Sequence, residues 1–519
     1  MKKTFKRLGA ALLAMAMAVS VLCTGALADD NTGTVTVPDN LSGHTFVAYQ
    51  IFTGTQANGD TKLASVNWGT NINSTTFLTA LVAGNIFESI TTESSAADVA
   101  AELGKETDKS VNAQKFAKLA FNNKQGEGTA LNQGSNTLPQ GYYLIVDTTN
   151  TDDGTDVAKN TALLQVTNKT TSIEVKTGVP TVDKKVNDKE YDSANIGEEV
   201  EFTLTGTLPD NYEDFDKYVY EFQDTLSAGL DFVAGSVVVK VGDTEIKKVD
   251  STTATDGYYI TEPADGNKNL NISFADLTKI KDKDGNDVTL TSASTIVVTY
   301  KAKLNSEAVV GKDGNTNEVK LKYSNDPNGD GTGTTTPDVV KVFTLRVTVD
   351  KVKDNTDGEA LKGAGFTLYK KDTNGEYQVV KLDENGKVNP NGSVEEIKGE
   401  NLTHFAWSGL GEGDYKLVET TVPAGYNKAD DLEFTISITD VAGEKANMVL
   451  NTVSAGDSFT QVTEGTDTFV FNTKVVNKSG SQLPSTGGMG TTLFYIIGGV
   501  LMAGAAVVLV IKKKRSSAE

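Results

Sequence analysis

The sequence predicts a mainly β protein, with tandem β-sandwich domains behind an α+β N-terminal domain and one apolar C-terminal helix. Three observations carry this. Most of the chain consists of short alternating apolar and polar runs, punctuated by clusters of Gly, Asn, Asp and Thr, as in strands joined by turns. Helical spacing shows only in the first region, over residues 96–103 and 111–121, where Phe116, Leu119 and Ala120 share a face. A single uncharged apolar run, residues 491–511, has the length of about 20 residues that a bilayer span needs.

The elements follow in order. Lys2, Lys3, Lys6 and Arg7 precede an apolar stretch over 8–22 and the small-x-small site Ala26-Leu27-Ala28. This is a secretory signal peptide, residues 1–28, cut after Ala28. Cys23 is the only cysteine, and Leu22 stands where a lipoprotein signal needs a small residue. The mature chain therefore has no disulfide to stabilise it outside the cell. Residues 29–178 form the N-terminal domain. Residues 179–341 form a second, which ends in a loop over 325–337 rich in Gly, Thr, Asn and Asp. A third covers 342–482, with hairpin-type turns at Asn374-Gly375 and Asn385-Gly386. Residues 477–482 are a polar spacer.

Charge narrows the function. The chain carries 48 basic and 69 acidic residues, a net of −21, and removing the signal peptide takes away only positive charge. This argues against nucleic acid and anionic membrane as partners. No Gly-rich phosphate loop is present. Asp326-x-Asn328-x-Asp330-Gly331 opens like a calcium loop, but Pro337 stands where the bidentate Glu belongs; it reads as an interdomain turn. His44 and His404 lie in different regions, which argues against a metal or Ser-His-Asp centre. Trp68 and Trp407 read as core residues. The expectation is no cofactor, no metal and no turnover site.

The C-terminus holds the first chemical motif. Leu483, Pro484, Ser485, Thr486 and Gly487 precede the apolar run, and Lys512, Lys513, Lys514 and Arg515 follow it, marking its cytoplasmic end. The order resembles the cell-wall sorting signal of Gram-positive surface proteins, residues 483–519 here. That resemblance implies that a sortase cuts between Thr486 and Gly487 and joins Thr486 to an amine, with peptidoglycan as the final acceptor.

A second chemistry lies inside the chain. Val347, Val349 and Lys351 share a strand face by the period-two rule, although a buried charge is costly. Leu417 and Glu419 share another, and the last strand offers Asn472 and Asn477. Desolvation lowers a lysine pKa and raises that of an acid. A neutral amine beside a protonated carboxyl can attack an Asn amide. In the second region Val182, Lys184 and Val186 alternate, Asp224 follows Phe222, and Asn315, Asn317, Val319, Leu321 and Tyr323 are in phase.

Two resemblances give these residues roles. The segment from Val349-Asp-Lys351 through Leu361-Lys-Gly-Ala-Gly-Phe366 to Tyr415–Tyr426 resembles the collagen-adhesin B-type domain of Gram-positive pilins. It implies a Lys351–Asn477 isopeptide bond catalysed by Glu419, with Asn472 as the alternative acceptor. The second region resembles the A-type sandwich of pilin backbone subunits, which implies a Lys184–Asn317 bond assisted by Asp224. Lys185 and Asn315 are the alternatives there. Both folds are immunoglobulin-like sandwiches, and both bonds are expected to join the first and last strands of their domain.

The whole chain is thereby similar to the major, or backbone, pilins of sortase-assembled pili. In that family a lysine near the end of the first domain, in a Val-Tyr-Pro-Lys-Asn-like motif, accepts the threonine of the next subunit. Here the junction reads Ser172-Ile-Glu-Val175-Lys176-Thr-Gly-Val-Pro180, and Lys176 holds the equivalent place. The resemblance implies sortase, identical subunits, minor pilins and peptidoglycan as partners, and a secreted, wall-anchored location. The alternative is a wall-anchored adhesin or minor pilin built from the same modules, its host ligand unknown.

Overall fold

The computed structural model describes residues 31–56, 62–107, 110–149, 158–175, 178–264, 266–443, 448–464, 467–480 and 489–516. The expected signal peptide, Lys176, and Leu483, Pro484, Ser485, Thr486 and Gly487 lie outside the described residues.

The first region is α+β. One sheet runs Leu63–Trp68, Phe46–Gln56, Gly141–Asp147, Thr161–Val166; a smaller one runs Gly134–Pro139, Thr32–Val37, Thr170–Ser172. Val35, Val37, Phe46, Ile145 and Val166 pack together in one core. Helices Ser74–Ala83, Ala96–Leu103 and Val111–Asn122 contribute to a second core around Phe52, Phe77, Val99 and Phe116. Each start is capped. Asn73 accepts from the Thr76 amide, Ser95 and Asp98 form a capping box, and Ser110 accepts from the Ala113 amide, satisfying amides the helix leaves open. Helix Ser74–Ala83 was not expected from sequence. Trp68 is half-buried, its ring 5.3 Å from that of Phe52.

The second region is a sandwich of two sheets. One runs Tyr191–Ser193, Asp338–Phe343, Asn315–Ser324, Tyr220–Leu226, Asn269–Phe274, Tyr259–Thr261. The other runs Thr244–Glu245, Val238–Val241, Thr295–Leu304, Glu199–Thr207, Val182–Val186. In Thr295–Leu304 every second residue from Ile296 is buried, as a strand with one face on a core requires.

The third region is another sandwich. Its four-stranded sheet runs His404–Leu410, Leu345–Lys353, Asp467–Asn477, Thr460–Glu464, with the central pair parallel. The opposing sheet runs Tyr377–Val379, Gly365–Lys371, Gly413–Thr421, Leu432–Ala442, Val449–Ser454. Trp407, fully buried, packs edge-on to Phe366 at 6.4 Å. Second and third regions share one apolar core that extends from Val186 to Val475. Only Thr344 separates the strand ending at Phe343 from the one beginning at Leu345.

One expectation is corrected. Asn317 does not lie on the last strand of its sandwich. Strand Asp338–Phe343 follows it and pairs with it, Asn317 opposite Val340. Helix Met489–Ser516 includes a 20-residue stretch, Phe494–Lys513, apolar up to Lys512 and left uncovered by the other described residues. At 1.5 Å per residue it spans about 30 Å, the thickness of a hydrocarbon core.

Candidate cross-linking sites

The parallel register sets the site in the third region. Lys351 lies opposite Val475, and Lys353 opposite Asn477. Asn477 is therefore two places along from Lys351's partner, on the same face. The Lys351 ammonium touches Asn477 Oδ1 and donates to the Val475 carbonyl at 2.9 Å. Glu419 reaches in from the opposing sheet, with Oε1 3.7 Å from Lys351 Nζ. Asn477 Nδ2 donates to both Glu419 oxygens, at 2.9 and 3.0 Å. The Ala429 amide donates to Oε2 at 2.8 Å and fixes the carboxylate. Lys351 and Asn477 are fully buried and Glu419 is 2% exposed. Burial lowers the Lys351 pKa to about 8 against the pull of Glu419, so neutral amine is accessible near neutral pH.

The second region builds a related group between its two sheets. Lys184, on strand Val182–Val186, contacts Asp224 Oδ2 and lies 3.2 Å from the Tyr300 hydroxyl. Tyr300 donates to Asp224 Oδ1 at 2.9 Å, and Asn317 Nδ2 donates to the Tyr300 oxygen at 2.5 Å. Lys184, Asp224 and Asn317 are fully buried. Desolvation drives the Lys184 pKa down and the Asp224 pKa up, each opposed by the other's charge. Asn317 Oδ1 is buried without a hydrogen-bond partner, a costly state that marks a functional or strained group.

Sequence reasoning missed Tyr300. Its hydroxyl links lysine, acid and amide, and burial raises its pKa far above the ordinary value, which keeps it a donor. The alternation Ile296, Val298, Tyr300, Ala302 was the available signal, because an inward hydroxyl needs a partner.

The alternative residues are placed elsewhere. Lys185 is partly exposed and pairs with Glu190. Asn315 is saturated by backbone, accepting from the Val309 amide at 2.9 Å and donating to the Val309 and Val342 carbonyls at 3.1 Å each. Asn472 faces away from Lys351, donating to Asp350 at 2.8 Å and accepting from Thr348 at 3.1 Å. The histidines sit apart, His44 against Asp147 at 2.6 Å and His404 against Asp350 at 2.7 Å. Asp326 Oδ1 accepts from the Asn328 amide and closes its turn.

Residues 346–451 match the SpaA family of prealbumin-like fold domains, and residues 475–517 match the LPXTG cell wall anchor motif. The trypsin-resistant surface T6 protein of Streptococcus pyogenes serotype M6 is 26% identical over 373 residues, 62% of this chain and 66% of that protein. The fimbrial subunit type 2 of Actinomyces naeslundii is 25% identical over 303 residues, 52% of this chain and 53% of that protein. The matches thus span just under two thirds and about half of these relatives. The T6 backbone pilin structure from S. pyogenes aligns over 88% of this chain and all of that one, with TM-score 0.51 and 17% identity, a likeness of fold. The chain is a mainly β protein with a prealbumin-like domain, pilin-like architecture and a C-terminal wall anchor.

Proposed function

We propose that this chain is the structural backbone subunit of a covalent surface pilus, stiffened by internal Lys–Asn isopeptide bonds and polymerised by a sortase. The observation that carries the reading is the buried Lys351–Glu419–Asn477 group, in a chain that ends in a wall anchor.

The internal step balances without any co-reactant. Neutral Lys351 Nζ attacks Asn477 Cγ, the new C–N bond forms, and the Cγ–Nδ2 bond breaks. Glu419 carries a proton from the attacking amine to the departing nitrogen, which leaves as ammonia. Lys184, Asp224 and Asn317 perform the same exchange, with Tyr300 holding acid and amide in place. Each residue reacts once, so the chain is not an enzyme in the turnover sense. The third-region bond closes 126 positions, worth about 4–5 kcal/mol by analogy with a disulfide.

Between subunits, sortase transfers the Thr486 carbonyl from the Gly487 nitrogen to the Lys176 amine of a neighbour. The last subunit passes to peptidoglycan, and minor pilins join through the same chemistry. Three modules, expected at 29–178, 179–341 and 342–482, follow one another in each subunit, with strand Asp338–Phe343 carrying the second sandwich past residue 341. The adhesin alternative draws on the junction at Lys176, which lacks the expected Val-Tyr-Pro-Lys-Asn pattern. Blots of cell-wall extracts separate the two. The backbone reading expects a ladder of heat- and SDS-resistant multimers; a single wall-linked band overturns it.

A further inference from the structure

A third lysine, acid and asparagine meet where the second and third regions join. Asn195 belongs to the turn after strand Tyr191–Ser193, and it is 6% exposed. Its Oδ1 accepts from the Gly411 amide at 2.7 Å and from Lys370 Nζ at 3.0 Å. The Tyr415 hydroxyl lies 2.9 Å from that oxygen and 2.8 Å from the Gly411 carbonyl, sharing its one proton between them. Lys370 also donates to Glu198 Oε1 at 2.8 Å, while Glu198 Oε2 accepts from the backbone N–H of Asn195 at 2.8 Å. Lys370 and Tyr415 are paired across neighbouring strands, which fixes the amine over the amide.

We propose that Lys370 and Asn195 are a third cross-linking pair, one that welds the two sandwiches together. The inference rests on the chemistry proposed for the buried pairs, but the means differ. Lys370 and Glu198 keep 20% and 45% of their side-chain surface, so desolvation contributes less. Polarisation of the amide takes its place. The Gly411 amide and the Tyr415 hydroxyl form a preformed oxyanion hole on Asn195 Oδ1. Glu198 takes the proton from Lys370 as Nζ bonds to Asn195 Cγ, and returns it to the departing Nδ2, which leaves as ammonia. No oxidant or further reactant is required.

The surroundings favour a fixed approach. Ile196 N donates to the Gly409 carbonyl at 3.0 Å, and Lys341 Nζ donates to the Met448 carbonyl at 2.7 Å. Both cross the same junction. They hold amine and amide in place for a slow reaction.

The test is peptide mapping by mass spectrometry of the mature full-length chain, before and after incubation at about pH 9, above neutrality and below the general range for lysine side chains. A branched peptide joining Lys370 to Asn195, one ammonia lighter, is expected and should accumulate with pH and time. Lys370→Arg, which keeps charge and hydrogen bonds, should remove it and leave the Lys351 and Lys184 branches intact. Tyr415→Phe should slow its formation about tenfold, one hydrogen bond's worth. Linear peptides carrying free Lys370 and free Asn195 after the alkaline incubation overturn the proposal. Each branch is read separately, so that result leaves the two buried bonds standing or falling on their own peptides.

Discussion

Lys351 and Asn477 meet because two parallel strands set them two places out of register on one face. The amine then rests on the amide oxygen while Glu419 holds the amide nitrogen from the opposite sheet. Three elements distant in sequence thus converge on one amide, in a core that excludes water.

Glu419→Gln should block closure of this bond, since Gln cannot shuttle the proton. Without the bond the third region should lose about 4–5 kcal/mol in the chain-entropy account. Thermal unfolding of the purified chain checks this, with intact mass confirming one ammonia retained. Loss of one ammonia from the variant's own sequence mass, with melting as in the parent protein, would refute the role of Glu419.

Tyr300→Phe should slow closure of the Lys184–Asn317 bond about tenfold, the value of one lost hydrogen bond. Phe preserves the ring stacked on Phe202 at 5.3 Å. Time-resolved mass after refolding reads the rate. An unaltered rate would show that the hydroxyl is a bystander.

Asn472→Ala should leave the third-region bond intact, and Asn315→Ala should leave the second-region bond intact. The Asn315 variant should still lose about 1–3 kcal/mol, because it strands the buried Val342 carbonyl and removes two part-buried hydrogen bonds to the Val309 backbone. Peptide mapping and urea unfolding report the two effects independently. Loss of either bond in these variants would reassign the acceptor.

In Asn477→Ala the bond cannot form and Lys351 remains a free, buried amine. Its folded pKa of about 8 lies below the ordinary lysine value of 10.5. The unfolded chain then binds more protons between those values, so stability should rise as pH goes from about 8 towards 10.5. The penalty is fully present below about 8. A flat urea midpoint across that window, relative to a second variant with Lys351→Met added, would contradict the burial argument.

Much of the site was legible because period-two alternation reports facing directly. Lys184, Lys351, Asp224 and Glu419 each stand in phase with apolar neighbours. Facing alone could not rank Asn315 against Asn317, which share a face. Position along the strand distinguishes them, since Asn315 meets the Val309 loop at the start of the strand. Asn472 and Asn477, five apart, take opposite faces, but only pairing register shows which one meets Lys351. Helix Ser74–Ala83 escaped notice because its threonines weaken the helical signal; the Asn73 cap and the burial of Phe77 and Leu81 hold it in place. The order of strands after Asn317 was also hidden, because strand Asp338–Phe343 is buried on both faces and shows no alternation.

The most direct measurement is tandem mass spectrometry of proteolytic peptides from the mature chain purified from the cell surface. The account predicts branched peptides joining Lys351 to Asn477 and Lys184 to Asn317, each lighter by one ammonia. Linear peptides with an unmodified Lys351 and an intact Asn477 amide would contradict it.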